Sequence, residues 1–234
     1  MAAAPSLLLF ARAPEPGRVK TRLAPAIGAE AAARLYGAFL QDAARVYGPP
    51  APWAPVLCAD PHPDAPPFPD LFRAPWRVRR QSGGDLGARQ CEAFRAEFEG
   101  GAPAAAAVGS DHPALPRRRL EEVFERLEAG ASAAVIPAAD GGYCVLGLRR
   151  DAPMPVDQLF REIPWSSRDV LAATIARFAA FGAVPALLAP SYDVDRPEDL
   201  GRLAADIESR DPAAADFPHA TARVLRGLRR GSLA

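Results

Sequence analysis

A chain of 234 residues, 49% hydrophobic and 24% charged, has the composition of a soluble globular protein with one large domain or two small ones. Its 28 basic and 28 acidic residues balance, so the cationic excess of a nucleic-acid binder is missing. Cys58, Cys91 and Cys144 are scattered and there is no C-x-x-C, which argues against a disulfide framework or zinc site and leaves buried free thiols.

The chain opens on an apolar run up to Phe10. With no basic segment before it and a short Leu7–Leu9 core, it reads as a buried first strand, not a signal peptide. No stretch approaches the ~18 apolar residues of a membrane span, and the expected compartment is the cytoplasm. Strand-length apolar runs then alternate with helix-period segments. The strands are Ser6–Ala11, Ala54–Cys58, Arg77–Arg80, Ala104–Val108, Ala133–Pro137, Cys144–Leu148 and Pro185–Leu188. The helices are Gly28–Val46, Leu86–Glu99 capped by Asp85, Arg117–Ala129 after Pro116, Ser167–Phe181 and Pro197–Ile207. Ser166-x-x-Asp169 looks like a cap for the fourth of these. Pro49 to Pro69 is an irregular surface connection. A Pro/Ala-rich tail from Asp211 ends in a short arginine-rich helix. The alternation predicts a single α/β domain with a mostly parallel sheet over residues 1–210, followed by a tail over 211–234. Arg117–Arg119 and the late group Arg223, Arg226, Arg229 and Arg230 read as solvated helix faces.

In an open α/β sheet, ligands gather beyond the carboxyl ends of the strands, and four segments fall there. The first is Arg12-Ala-Pro-Glu-Pro-Gly-Arg-Val-Lys-Thr-Arg22, which holds Lys20, the only lysine of the chain. Pro14, Pro16 and Gly17 make a stiff turn, and four cations crowd eleven residues. No P-loop is present, yet fixed cations and backbone N–H groups suit phosphate oxygens. The second is Gly109-Ser110-Asp111-His112-Pro113, where Asp111 either holds Mg²⁺ beside phosphate or caps the turn. The third is Asp193-Val194-Asp195, two carboxylates that repel unless a cation lies between them. Asp195 and Asp199 also suit the start of the following helix. The fourth is Asp140-Gly141-Gly142-Tyr143, either a plain hairpin turn or a ligand wall with Asp140 reaching a hydroxyl. A weaker candidate, Gln81-Ser-Gly-Gly-Asp-Leu-Gly87, either contacts a nucleobase or turns the chain into a helix.

Together these segments resemble the DUF2064 family. The resemblance is carried by Phe10–Pro25, Gln81–Arg89, Gly109–Pro116, Asp140–Leu148, Ile163-Pro-Trp-Ser-Ser167 and Asp193–Leu200, and it spans residues 5–208. It implies the GT-A fold of nucleotide-diphospho-sugar transferases, with similarity to guanylyltransferases that activate small phosphorylated acids. It further implies nucleotide and phosphate binding by Arg12, Gly17, Lys20, Arg22 and Gln81. A divalent ion, Mg²⁺ or Mn²⁺, is implied at Asp111 with Asp193 and Asp195. Where GT-A enzymes typically carry Asp-x-Asp, this chain has Gly-Ser-Asp111.

The leading expectation is metal-dependent glycosyl transfer from a nucleotide sugar to a small-molecule acceptor, with Asp140 or Glu162 as the base. The alternative is nucleotidyl transfer, in which a phosphorylated small molecule attacks a nucleoside triphosphate and releases pyrophosphate. A non-catalytic nucleotide-binding module is the third reading.

Overall fold

The computed structural model describes residues 3–231. Met1 and Ala2 of the opening run, the last three residues of the tail and the side chain of Arg230 lie outside them. Seven strands form one sheet: β1 (Ser6–Arg12), β2 (Ala54–Asp60), β3 (Arg77–Arg80), β4 (Ala104–Gly109), β5 (Ala133–Pro137), β6 (Tyr143–Arg149) and β7 (Ala186–Leu187). Their spatial order is β3-β2-β1-β4-β6-β5-β7, and only β6 runs antiparallel to its neighbours. The expected mostly parallel α/β sheet is therefore present. Its middle strands are continuous apolar runs because both faces are covered: Leu7, Leu8 and Leu9 are wholly buried.

One face is packed by α2 (Ala29–Val46), α5 (Arg117–Glu128), α8 (Pro197–Glu208) and α9 (His219–Gly231), through Leu35, Phe39, Leu120, Val123, Leu203 and Leu225. The other is packed by α4 (Leu86–Glu99), α6 (Val156–Leu159) and α7 (Val170–Ala180), through Phe94, Leu159 and Phe178. Helix α5 sits close over β6 because Gly147 has no side chain: a Cβ there would lie 2.6 Å from Val123. The C-terminal segment belongs to the same core. Phe217, Ala222 and Leu225 are buried, and the buried carboxylate of Asp42 on α2 accepts the N–H groups of Ala220 (3.0 Å) and Thr221 (2.8 Å), capping α9 from outside. Arg45 donates to the carbonyls of Ala215 and Phe217. Arg223, Arg226 and Arg229 are exposed on the outer face of α9.

Some boundaries differ from the sequence reading. The helix expected from Gly28 is α2, and a separate single turn α1 (Ala24–Ile27) that the sequence did not announce precedes it, the two being divided at Gly28 where φ is +84°. The Ser166-x-x-Asp169 cap does not form. Ser166 takes φ +66° and the Ser167 hydroxyl accepts the Asp169 N–H at 3.1 Å. That local bond competes with the helix and delays α7 to Val170. The one-turn helices α3 (Phe68–Leu71) and α6 are too short to show a period.

Candidate functional site

The carboxyl ends of β1 and β4, with Gln81 just after β3, open onto a cleft of about 700 Å³. The first loop lies across it. Gly17 makes the turn at φ +75° without lining the cleft. The chain then dives inward, burying Val19 and Lys20. Lys20 itself takes φ +48°, a left-handed conformation that costs a non-glycine residue about 1–2 kcal/mol. That twist carries its side chain, only 4% exposed, under the loop to an ion pair with Asp111. The ammonium lies 5.7 Å from the ring centre of Tyr36 and 5.8 Å from that of Phe39, two π faces that attract it. Tyr36 is itself tied down. Its hydroxyl accepts the Arg12 N–H at 3.0 Å and lies 2.7 Å from the Ser110 Oγ. Burial raises its pKa above the ordinary tyrosine value, so it stays neutral. Arg22 reaches across the cleft to pair with Asp195. Lys20 and Arg22 thus each meet a carboxylate that the sequence placed in a metal set.

Gln81 lines the cleft but is occupied. Its amide donates to the carbonyls of Ala11 (3.1 Å) and Cys58 (2.9 Å), bridging the ends of β1 and β2, and its oxygen accepts from Arg89 at 3.3 Å. Both amide hydrogens are spent, so the expected contact to a nucleobase is left only the second lone pair of Oε1. Arg89 and Arg12 each contact Asp60, at 3.3 and 3.4 Å. Asp60 ends β2 as Asp111 follows β4, an apolar strand running into a carboxylate. That shared pattern is the signal the sequence reading passed over.

A second compartment of about 1050 Å³ adjoins the first. Arg22, Asp111, His112, Tyr143, Trp165 and Asp195 line both. It is walled by the β5–β6 hairpin turn, the loop before α7 and the segment leading into α8. The Asp140 turn is a hairpin, as its plainer reading had it, and it still faces this compartment. Asp140 is exposed, and its Oδ1 accepts the Gly142 N–H at 2.9 Å. Gly141 takes φ +95°, and a Cβ there would lie 2.2 Å from the Arg168 carbonyl oxygen. The Leu171 N–H donates to the Gly141 carbonyl at 2.9 Å. The turn and the loop before α7 therefore lock together through a bare backbone. Trp165 does the same on the other side, with its ring 2.6 Å from where a Cβ of Gly87 would be.

Asp193 is half-buried, and its pKa is raised by burial first and then by Asp140 and Asp111. His112 is buried and its pKa is lowered, chiefly by burial. Its Nδ1 lies 3.0 Å from the Tyr192 carbonyl. A carbonyl only accepts, so the proton is on Nδ1 and Nε2 is an acceptor.

The structure brings Arg12, Lys20, Arg22, Gln81 and Asp111 together around the first compartment, and Asp140, Asp193 and Asp195 around the second. Glu162 is not among them. It takes φ +55°, its side chain is 86% exposed, and it pairs with Arg177 on α7 outside the cleft. A role as acceptor base is therefore withdrawn for Glu162. Among the described residues no three Cys, His, Asp or Glu side chains stand together as a ready metal cage. Asp111 and Asp195 are instead satisfied by Lys20 and Arg22. The donor set still fits a hard divalent ion, which takes one or two carboxylates and fills its remaining positions with water and phosphate oxygens. Burial first, and then the neighbouring Asp140 and Asp111, disfavour the charged form of Asp193; a cation there would relieve only the repulsion.

Residues 44–167 match the family described as "Uncharacterized protein conserved in bacteria (DUF2064)". No functionally curated protein matches the chain. A provisionally named nucleotide-diphospho-sugar transferase from Desulfovibrio desulfuricans G20 is 29% identical, with a TM-score of 0.85 and 98% of each chain covered. A cytidylyltransferase from Leptospira borgpetersenii is 12% identical at a TM-score of 0.58, over 99% of this chain and 96% of that one. A 4-diphosphocytidyl-2C-methyl-D-erythritol synthase from Anaerococcus prevotii is 9% identical at 0.58, over 88% and 96%. These last two share the fold. Among the described residues no helix is long and apolar enough to cross a membrane.

Proposed function

The chain belongs to the DUF2064 family, and we propose that it is a transferase that moves a glycosyl group from a nucleotide-diphospho-sugar to a small-molecule acceptor. One observation carries the reading: two compartments meet at Asp111 and Asp195, and Lys20 and Arg22 of the first loop are poised on these carboxylates. A nucleotide in the first compartment would place its diphosphate at that seam and its sugar at the mouth of the second.

The chemistry then follows from charge. As the bond between the anomeric carbon and the phosphate oxygen breaks, negative charge grows on the departing diphosphate. Lys20, Arg22 and the exposed Arg12 and Arg18 are the cations on hand to hold it. Asp111, Asp193 and Asp195 would hold a divalent ion, which supplies Lewis-acid stabilisation of the same charge. The acceptor oxygen attacks from the second compartment, and Asp140 takes its proton. The Gly142 N–H on Oδ1 fixes the Asp140 carboxylate and leaves Oδ2 for the acceptor hydroxyl.

A second reading, nucleotidyl transfer, is favoured by Lys20: the single lysine is held on two aromatic faces at the cost of a left-handed backbone. A triphosphate would use so fixed a charge fully. Phosphorus NMR separates the two. With Mg²⁺, a set of nucleotide sugars and mixed acceptors, glycosyl transfer releases nucleoside diphosphate. With nucleoside triphosphates, nucleotidyl transfer releases pyrophosphate. Acceptor-dependent nucleoside diphosphate supports the proposal. Pyrophosphate with no turnover of any nucleotide sugar replaces it with the second reading.

A further inference from the structure

The cations of the two compartments differ in one respect. Every arginine lining the first has a carboxylate partner within the protein: Arg12 and Arg89 on Asp60, Arg18 on Glu15 and Arg22 on Asp195. The second compartment adds Arg168, Arg196 and Arg202, and among the described residues none of these three has a carboxylate within ion-pairing reach. Carboxylates are at hand, since Asp140, Glu198 and Asp199 line the same space. Two of these are turned to the backbone. Asp140 accepts from Gly142, and Asp199 accepts from the N–H groups of Asp195 (2.9 Å) and Arg196 (2.7 Å).

The three arginines come from two pieces of chain, Arg168 from the loop before α7, and Arg196 and Arg202 from the N-cap and second turn of α8. Arg202 is also placed. Its guanidinium carbon lies 3.7 Å from the centre of the Tyr192 ring, and the Tyr192 hydroxyl is fixed by Asp206 at 2.5 Å. A guanidinium stacked on a ring keeps its in-plane N–H donors for another partner. We infer that the second compartment takes an acceptor bearing an oxyanion, a phosphate or a carboxylate, held by Arg168, Arg196 and Arg202. Forked donors match either group. This names the acceptor class for the reading above and rests on that reading for the word acceptor. The anion site itself stands on the arginines.

The test is calorimetric titration of the full chain with inorganic phosphate and, separately, with acetate, at constant ionic strength. Four proteins are compared: the parent, R168Q/R202Q, R223Q/R226Q on the far α9 face, and K20M, which removes the loop lysine. The expected result is that R168Q/R202Q weakens the better of the two anions about tenfold or more, given hydrogen bonds to charged groups of normal strength. R223Q/R226Q should retain that binding within twofold. The stronger anion tells a phosphate-bearing from a carboxylate-bearing acceptor. Parent-like affinity in R168Q/R202Q, an equal loss in R223Q/R226Q, or loss only in K20M overturns the inference. Nucleotide affinity, measured on the same proteins, judges the donor reading separately: a chain that binds phosphate through Arg168 and Arg202 but no nucleotide keeps this site and loses the function proposed above.

Discussion

Removing Asp111 should destabilise the protein more than removing the lysine it pairs with. The Lys20 side chain is 4% exposed and that of Asp111 is 45% exposed. In Asp111→Ala the ammonium is left buried without a counter-charge, and taking one partner from a buried pair costs about 3–5 kcal/mol. The pair is only half out of water, since Asp111 is 45% exposed, and solvent screening trims that cost. The net loss is about 2–3 kcal/mol, a fall in melting temperature of roughly 5–10 °C for a chain of this length. In Lys20→Met the buried charge disappears, an apolar stem takes its place between the rings, and the half-exposed Asp111 turns to water. That change should cost less than about 1 kcal/mol. The double variant should recover to near the Lys20→Met value. Urea unfolding of the parent, both singles and the double gives the cycle directly. A double variant as unstable as Asp111→Ala, or an Asp111→Ala within about 0.5 kcal/mol of the parent, would refute the reasoning that a buried ammonium depends on this carboxylate.

Asp42→Ala removes the two N–H bonds that start α9; it should cost about 1–2 kcal/mol and expose the C-terminal segment first to limited proteolysis. Gly141→Ala combines φ +95° with a Cβ 2.2 Å from the Arg168 carbonyl oxygen; it should displace the loop carrying Trp165 and Arg168, seen as altered Trp fluorescence. Asp193 has a raised folded pKa, so its stabilising contribution is complete below the ordinary aspartate value near 3.8 and is lost as pH rises through the raised one. Asp193→Asn should therefore stabilise the metal-free protein at pH 7.5 and leave it unchanged at pH 3.5, as read from melting curves. An equal gain at both pH values would point to packing instead of charge.

The sheet was legible because its strands are short apolar runs with little polar content, such as Ser6–Ala11 and Ala104–Val108, and because five long helices carry a 3.6-residue period. The one-turn helices α1, α3 and α6 have no room for a period, and the start of α7 was lost to a serine that bonds its own backbone. Within the site, Lys20, Asp111, Asp140, Asp193 and Asp195 were visible as charged residues at strand ends, where the fold gathers ligands. Pairing was not visible. Nothing in the spacing says that Lys20 bends under its loop onto Asp111 and the rings of Tyr36 and Phe39, since that depends on a left-handed φ at a non-glycine residue. Gln81 looked free because its partners, the Ala11 and Cys58 carbonyls, are backbone atoms on neighbouring strands. Glu162 was read beside Asp140 as a carboxylate able to act as base, and the direction of its side chain took it out of the cleft.

The most direct test of the central claim is thermal denaturation of the parent and Lys20→Met with a panel of nucleotide sugars and triphosphates, each with and without Mg²⁺ or Mn²⁺. A ligand at 100 times its dissociation constant stabilises by about 2.7 kcal/mol, a shift of several degrees here. The account predicts a metal-dependent shift with a nucleotide sugar in the parent and its loss in Lys20→Met. No shift with any nucleotide, or the same shift in both proteins, would contradict it.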